Sequence, residues 1–82
     1  MTLIKNSDKT SKEIVGLTIE KNRREKNISQ QELADLLEVD RQYIWRLENG
    51  KVNLTMNYLD KIIKKLDCLQ SDFLVVIQIE SK

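Results

Sequence analysis

Apolar residues recur along this 82-residue chain at helical spacing, in blocks separated by polar residues suited to capping helices. Thr10 and Glu13 stand three apart, as a capping box requires, so a first helix opens near Ser11 and runs to about Lys26. Ile14, Leu17 and Ile19 supply its apolar side. Asn27 tolerates a left-handed backbone and stops it. Ser29 and Glu32 repeat the capping spacing at the head of "SQQELADLLE", where Leu33, Leu36 and Leu37 recur with helical period around the small Ala34. "EVD" interrupts that pattern. Asp40 then caps a third helix, "RQYIWRLEN", which Gly50 closes. Thr55 caps a fourth, "MNYLDKIIKKLD", with Met56, Leu59, Ile62, Ile63 and Leu66 as its stripe.

The tail "DFLVVIQI" changes period. Phe73, Val75, Ile77 and Ile79 alternate with Leu74, Val76 and Gln78, and β-branched residues dominate, which predicts a strand. A lone strand has unpaired edges and uncovered faces, and "TLI" near the start is too short to pair with it. The same strand of a second copy is the expected partner, giving a two-fold dimer through Phe73, Leu74, Val75, Val76, Ile77 and Ile79. Packing back on the helices and adding to another protein's sheet are the alternatives. The chain thus divides into an N-terminal arm (1–10), a helical domain (11–67) and a dimerisation strand (68–82).

Composition narrows the function. The chain has no histidine and a single cysteine, Cys68, so the usual hydrolytic triads lack their base and a zinc site lacks its ligands. No catalytic residue, metal site or cofactor is expected. No apolar run nears the ~18 residues of a membrane span, and no signal-peptide core is evident. The expectation is a cytoplasmic, non-enzymatic protein. A net charge of +1 does not by itself suggest nucleic acid. Distribution says more, because "KNRREK" and "DRQYIWRLENGK" concentrate cations while acids gather in "QQELADLLEVD".

On a helical wheel of about 100° per residue, Ile44 and Leu47 of the third helix share one side. Gln42, Trp45, Arg46 and Asn49 take the opposite side, flanked by Arg41 and Tyr43. The only tryptophan therefore points outward among guanidinium and amide groups. The second and third helices, joined by a tight turn, read as a helix-turn-helix. Ala34 leaves room for a close crossing, and Leu33, Leu37, Val39, Ile44 and Leu47 bury the joint.

From about residue 12 to residue 67 the chain resembles the Cro/phage-repressor (xenobiotic-response-element) class, most clearly in "SQQELADLLEVDRQYIWRLENGK". Its opening "NSDKTSKEIVGLTIEKNR" and its tail resemble the HipB-type antitoxins. The resemblance implies a mainly α, four-to-five-helix domain whose C-terminal strand pairs across a dimer. It implies a repressor of a palindromic double-stranded DNA operator, the antitoxin of a HipA/HipB-type toxin–antitoxin operon, with a HipA-type kinase toxin as partner. Position by position, Gln30 matches a glutamine that touches DNA phosphate and steadies the recognition helix. Arg41, Gln42 and Arg46 match base-reading or backbone-contacting positions, and Tyr43 a phosphate-side position. Arg23 and Glu48 match an internal ion pair. The expected DNA-binding set is Gln30, Arg41, Gln42, Tyr43, Trp45, Arg46, Asn49 and Lys51.

Arginine can donate two hydrogen bonds to guanine and glutamine can pair with adenine, which gives these residue types the means to read bases. The plainer reading of Arg41 and Arg46 is solvated helix charge, and that of Gln30 is local capping. Two readings stand for Trp45: contact with a thymine methyl, sugar or phosphate, or folding back over helix four or Met56. Glu38 stands where the family's turn usually has glycine. A positive φ there costs on the order of 1 kcal/mol, and otherwise the turn takes another shape. The rival function is a protein-interaction module that neutralises a toxin or enzyme with weak or no DNA binding.

Overall fold

The computed structural model describes residues 9–68 and 70–73. Four helices follow in order: α1 (Ser11–Glu25), α2 (Gln30–Leu37), α3 (Arg41–Glu48) and α4 (Met56–Leu66), then a single 3-10 turn over Gln70–Phe73. No strand occurs among the described residues.

Each helix begins on a side chain that supplies what the backbone lacks. Thr10 Oγ1 accepts from the Glu13 N–H at 3.2 Å, while Glu13 Oε1 accepts from the Thr10 N–H at 2.9 Å. Ser29 and Glu32 form the same reciprocal pair. Asp40 accepts from the Tyr43 N–H at 2.7 Å and Thr55 from the Tyr58 N–H at 3.1 Å. These bonds satisfy N–H groups that have no carbonyl partner within the helix.

The helix ends are equally uniform. Asn27, Glu38, Gly50 and Asp67 have φ of 57°, 60°, 72° and 53°. The next N–H in each case reaches back five residues: Ile28 to Arg23 O, Val39 to Ala34 O, Lys51 to Arg46 O and Cys68 to Ile63 O, at 2.9–3.2 Å. This is the Schellman ending, repeated four times. The α2–α3 turn therefore keeps the left-handed shape that glycine favours, with Glu38 bearing the strain.

The core joins Val15 and Ile19 of α1, Leu33, Ala34 and Leu37 of α2, Ile44 and Leu47 of α3, Leu59, Ile62, Ile63 and Leu66 of α4, and Phe73. Ile14 and Val39, also expected there, pack against it half-buried, and three further expected members turn to solvent. Leu17, Leu36 and Met56 are each more than two-fifths exposed. In α1 the inward row is Val15, Ile19, Asn22 and Arg23, and Leu17, two residues from Val15, faces the other way. In α2 the joint is made by Leu33, Ala34 and Leu37, which turns Leu36 to the side. Met56 is the first residue of α4, before the helix reaches the core.

Phe73 corrects the strand expectation at its first residue. It ends the 3-10 turn and is 1% exposed, packed into the helical core rather than along a sheet edge. An aromatic side chain gains more by filling that interior than by lining one half-covered strand face. Leu74, Val75, Val76, Ile77 and Ile79, with the intermolecular pairing assigned to them, lie outside the described residues.

Gly16 shows why α1 sits as it does. A Cβ there would meet the Leu47 and Glu48 carbonyl oxygens at 2.6 and 2.5 Å, so α1 crosses the end of α3 backbone against backbone. Nothing larger fits.

Candidate nucleic-acid interface

That crossing leaves the opposite side of α3 uncovered. Ile44, Leu47 and Glu48 are buried, whereas Arg41, Gln42, Trp45, Arg46 and Asn49 are exposed, with Tyr43 half-buried on one flank. Arg41, Gln42 and Trp45 line a shallow open depression on this face. Trp45 is 45% exposed and is not among the residues packed on the core, and Met56 is itself exposed. Its indole is open to solvent beside Arg41 and Gln42. The Asn49 amide donates to Trp45 O at 2.8 Å, holding the last turn closed. Lys51 follows Gly50 and is exposed.

Behind the face lies a chain of polar side chains. Arg23 and Glu48 are buried together: Arg23 Nε donates to Glu48 Oε2 at 2.6 Å and Nη2 to Oε1 at 3.1 Å. A third donor, Nη1, reaches Ile28 O at 2.8 Å. The bond to Glu48 raises the Arg23 pKa above its ordinary value, against the opposing effect of burial. The pair is bidentate, so neither charge is stranded in the interior. Glu48 Oε1 also accepts from Gln30 Nε2 at 3.0 Å, and Gln30 Oε1 accepts from Arg41 Nη1 at 3.3 Å. The chain therefore runs from the core through the N-terminus of α2 to the first residue of α3. Gln30 is held at both ends of its amide, which fixes its orientation and leaves Arg41 leaning toward α2.

The other outward cation is placed differently. The Arg46 guanidinium lies 5.9 Å from the centre of the Tyr43 ring, and Tyr43 meets Tyr58 of α4 edge to face, with centroids 6.2 Å apart and planes at 83°. Burial pushes both phenols above their ordinary pKa, against a lowering by Arg46 in the case of Tyr43. Sequence patterning gives no sign of the tyrosine pair, nor of the Gln30 bridge, because both join residues from different helices.

Among the described residues no group of three or more potential metal ligands occurs, and no helix is long and apolar enough to cross a membrane.

Comparison with known proteins agrees with this geometry. No curated protein matches the chain. Among solved structures, the clp gene regulator ClgR from C. glutamicum superposes with a TM-score of 0.75 at 24% identity, over 82% of this chain and 86% of that one. The restriction-modification controller protein C.AhdI from Aeromonas hydrophila gives 0.65 at 28% identity, over 77% and 94%. The controller protein C.Esp1396I, seen as a tetramer on its natural 35 base-pair operator, gives 0.71 at 32% identity, over 92% and 100%. Residues 19–73 match the helix-turn-helix family. The chain belongs to that family, the Cro/C1-type DNA-binding transcriptional regulators.

Proposed function

We propose that the protein represses transcription by binding a palindromic operator as a homodimer, with α3 in the major groove of each half-site. The observation that carries this reading is the outer face of α3, where Arg41, Gln42, Trp45 and Arg46 stand exposed while Glu48, the helix's one acid, is turned inward. Arg41, Gln42 and Arg46 have the donors to read base edges. On this reading Gln30, Tyr43, Asn49 and Lys51, around them, contact the phosphates. Trp45 supplies an apolar surface for a thymine methyl or a sugar, with its indole N–H free for a phosphate. The operator-bound tetramer of C.Esp1396I is consistent with DNA binding by an assembled form. Two copies with recognition helices about 34 Å apart, or somewhat more, meet successive major grooves on one side of the duplex.

A mobility shift on the DNA upstream of the protein's own gene tests this. Binding that weakens steeply with salt and is reduced by Trp45→Ala, with thermal stability nearly unchanged, is the expected result. A dimer that ignores this DNA at low salt leaves toxin or enzyme neutralisation without DNA binding as the function. The narrower role, antitoxin to a HipA-type kinase in a HipB-type pair, rests on the resemblance of the opening and tail segments. Co-purification with an adjacent kinase-like gene product checks it.

A further inference from the structure

Arg46 and Arg41 stand on the same helix face but are held by different neighbours. Arg41 is bonded to Gln30, whereas among the described residues Arg46 has neither a carboxylate within ion-pair distance nor a side-chain hydrogen bond. What it has is the Tyr43 ring at 5.9 Å. Tyr43 is in turn met by Tyr58 at 6.2 Å and 83°, and Lys61 Nζ lies 5.7 Å from the centre of the Tyr58 ring. Both tyrosines pack partly buried on the core, so the two rings are anchored from behind. Four side chains thus stand in series, Arg46–Tyr43–Tyr58–Lys61, a cation at each end and two neutral rings between.

A guanidinium drawn to an aromatic ring is positioned without using its N–H groups, which stay available to a ligand. We propose that Tyr58, on α4 and outside the helix-turn-helix proper, is a positioning residue for DNA recognition: by fixing the Tyr43 ring it sets where Arg46 presents its donors. This rests on the DNA-binding reading above. Tyr58 itself touches no base. The edge-to-face contact requires the ring of Tyr58 and not its hydroxyl, so the phenylalanine variant retains the function and an aliphatic one loses it.

The test is a double-mutant cycle on the full chain, read by fluorescence anisotropy with a labelled fragment of the upstream DNA, alongside the Arg46 Nε–H NMR resonance of the free protein. Tyr58→Phe binds as the parent does. Tyr58→Leu, and Tyr58→Met as a second aliphatic replacement should the first not fold, bind about three- to tenfold more weakly. In an Arg46→Ala background the same replacements cause no further loss. The aliphatic variants, by freeing the Tyr43 ring, also change the ring-current shift of the Arg46 Nε–H without DNA present. Equal losses with and without Arg46 overturn the proposal, as does weakening by Tyr58→Phe, which marks a direct hydroxyl contact, or an unmoved Arg46 resonance. If the parent protein fails to bind the DNA, the DNA-binding reading falls. The resonance then decides separately whether Tyr58 positions Arg46.

Discussion

The two faces of α3 use the same chemistry in opposite ways. Inside, a guanidinium and a carboxylate are sealed together, each satisfied by the other and by backbone or amide partners. Outside, Arg41 and Arg46 are steered by one amide and one ring and keep most of their donors unused. The contrast sets a buried ion pair and open surface cations within eight residues of helix. Adjacent residues of α1 repeat it: Arg23 is buried against Glu48, while Arg24 lies in solvent and pairs with Glu20 one turn earlier, at 2.8 Å. The basic run "KNRREK" is therefore not a single solvated face. One of its charges belongs to the interior.

Substitutions can break this division. Glu48→Ala leaves Arg23 buried without its partner, and a loss of about 3–5 kcal/mol in chemical denaturation is expected. A loss below about 1 kcal/mol means that the inner face is not the stability element. Gly16→Ala forces a Cβ onto the Leu47 and Glu48 carbonyls and costs about 1–3 kcal/mol, read as a lowered midpoint of thermal unfolding. On the outer face Arg41→Ala or Arg46→Ala weakens binding to the upstream DNA by about 1–3 kcal/mol, while stability stays within about 0.5 kcal/mol. Comparable losses of folding and binding from one such change erase the distinction. The smallest effect is a gain: Glu38→Gly relieves a left-handed non-glycine residue and stabilises by about 0.5–1 kcal/mol, with DNA affinity unchanged.

What could be read from the residues alone follows the range of the forces involved. The caps at Thr10, Ser29, Asp40 and Thr55 act over three residues, so their spacing is visible in the chain. The outward set of α3 was legible for a related reason, since one helix turned by a fixed angle separates Ile44 and Leu47 from Gln42 and Trp45. Gly16 was not, because the carbonyls it must admit lie more than thirty residues away, on another helix. Leu17 misled because α1 buries few apolar side chains and fills its inner row with Asn22 and Arg23, which a hydrophobic pattern counts as surface. Phe73 misled because the β-branched residues after it set the local period, whereas an opening in the helical core decided its place. The arginine–glutamate pair is implied by family likeness. The third acceptor role of Glu48, toward Gln30, was not assigned.

That shared oxygen links the interior to whatever meets the surface. If a phosphate draws the Gln30 amide away, Glu48 Oε1 loses one donor and its remaining charge falls more heavily on Arg23. The Nε–H of Arg23, shielded from solvent and remote from bases, then shifts when the outer face is occupied. A single side-chain NMR signal would thereby register occupancy from within, with no label on either binding partner.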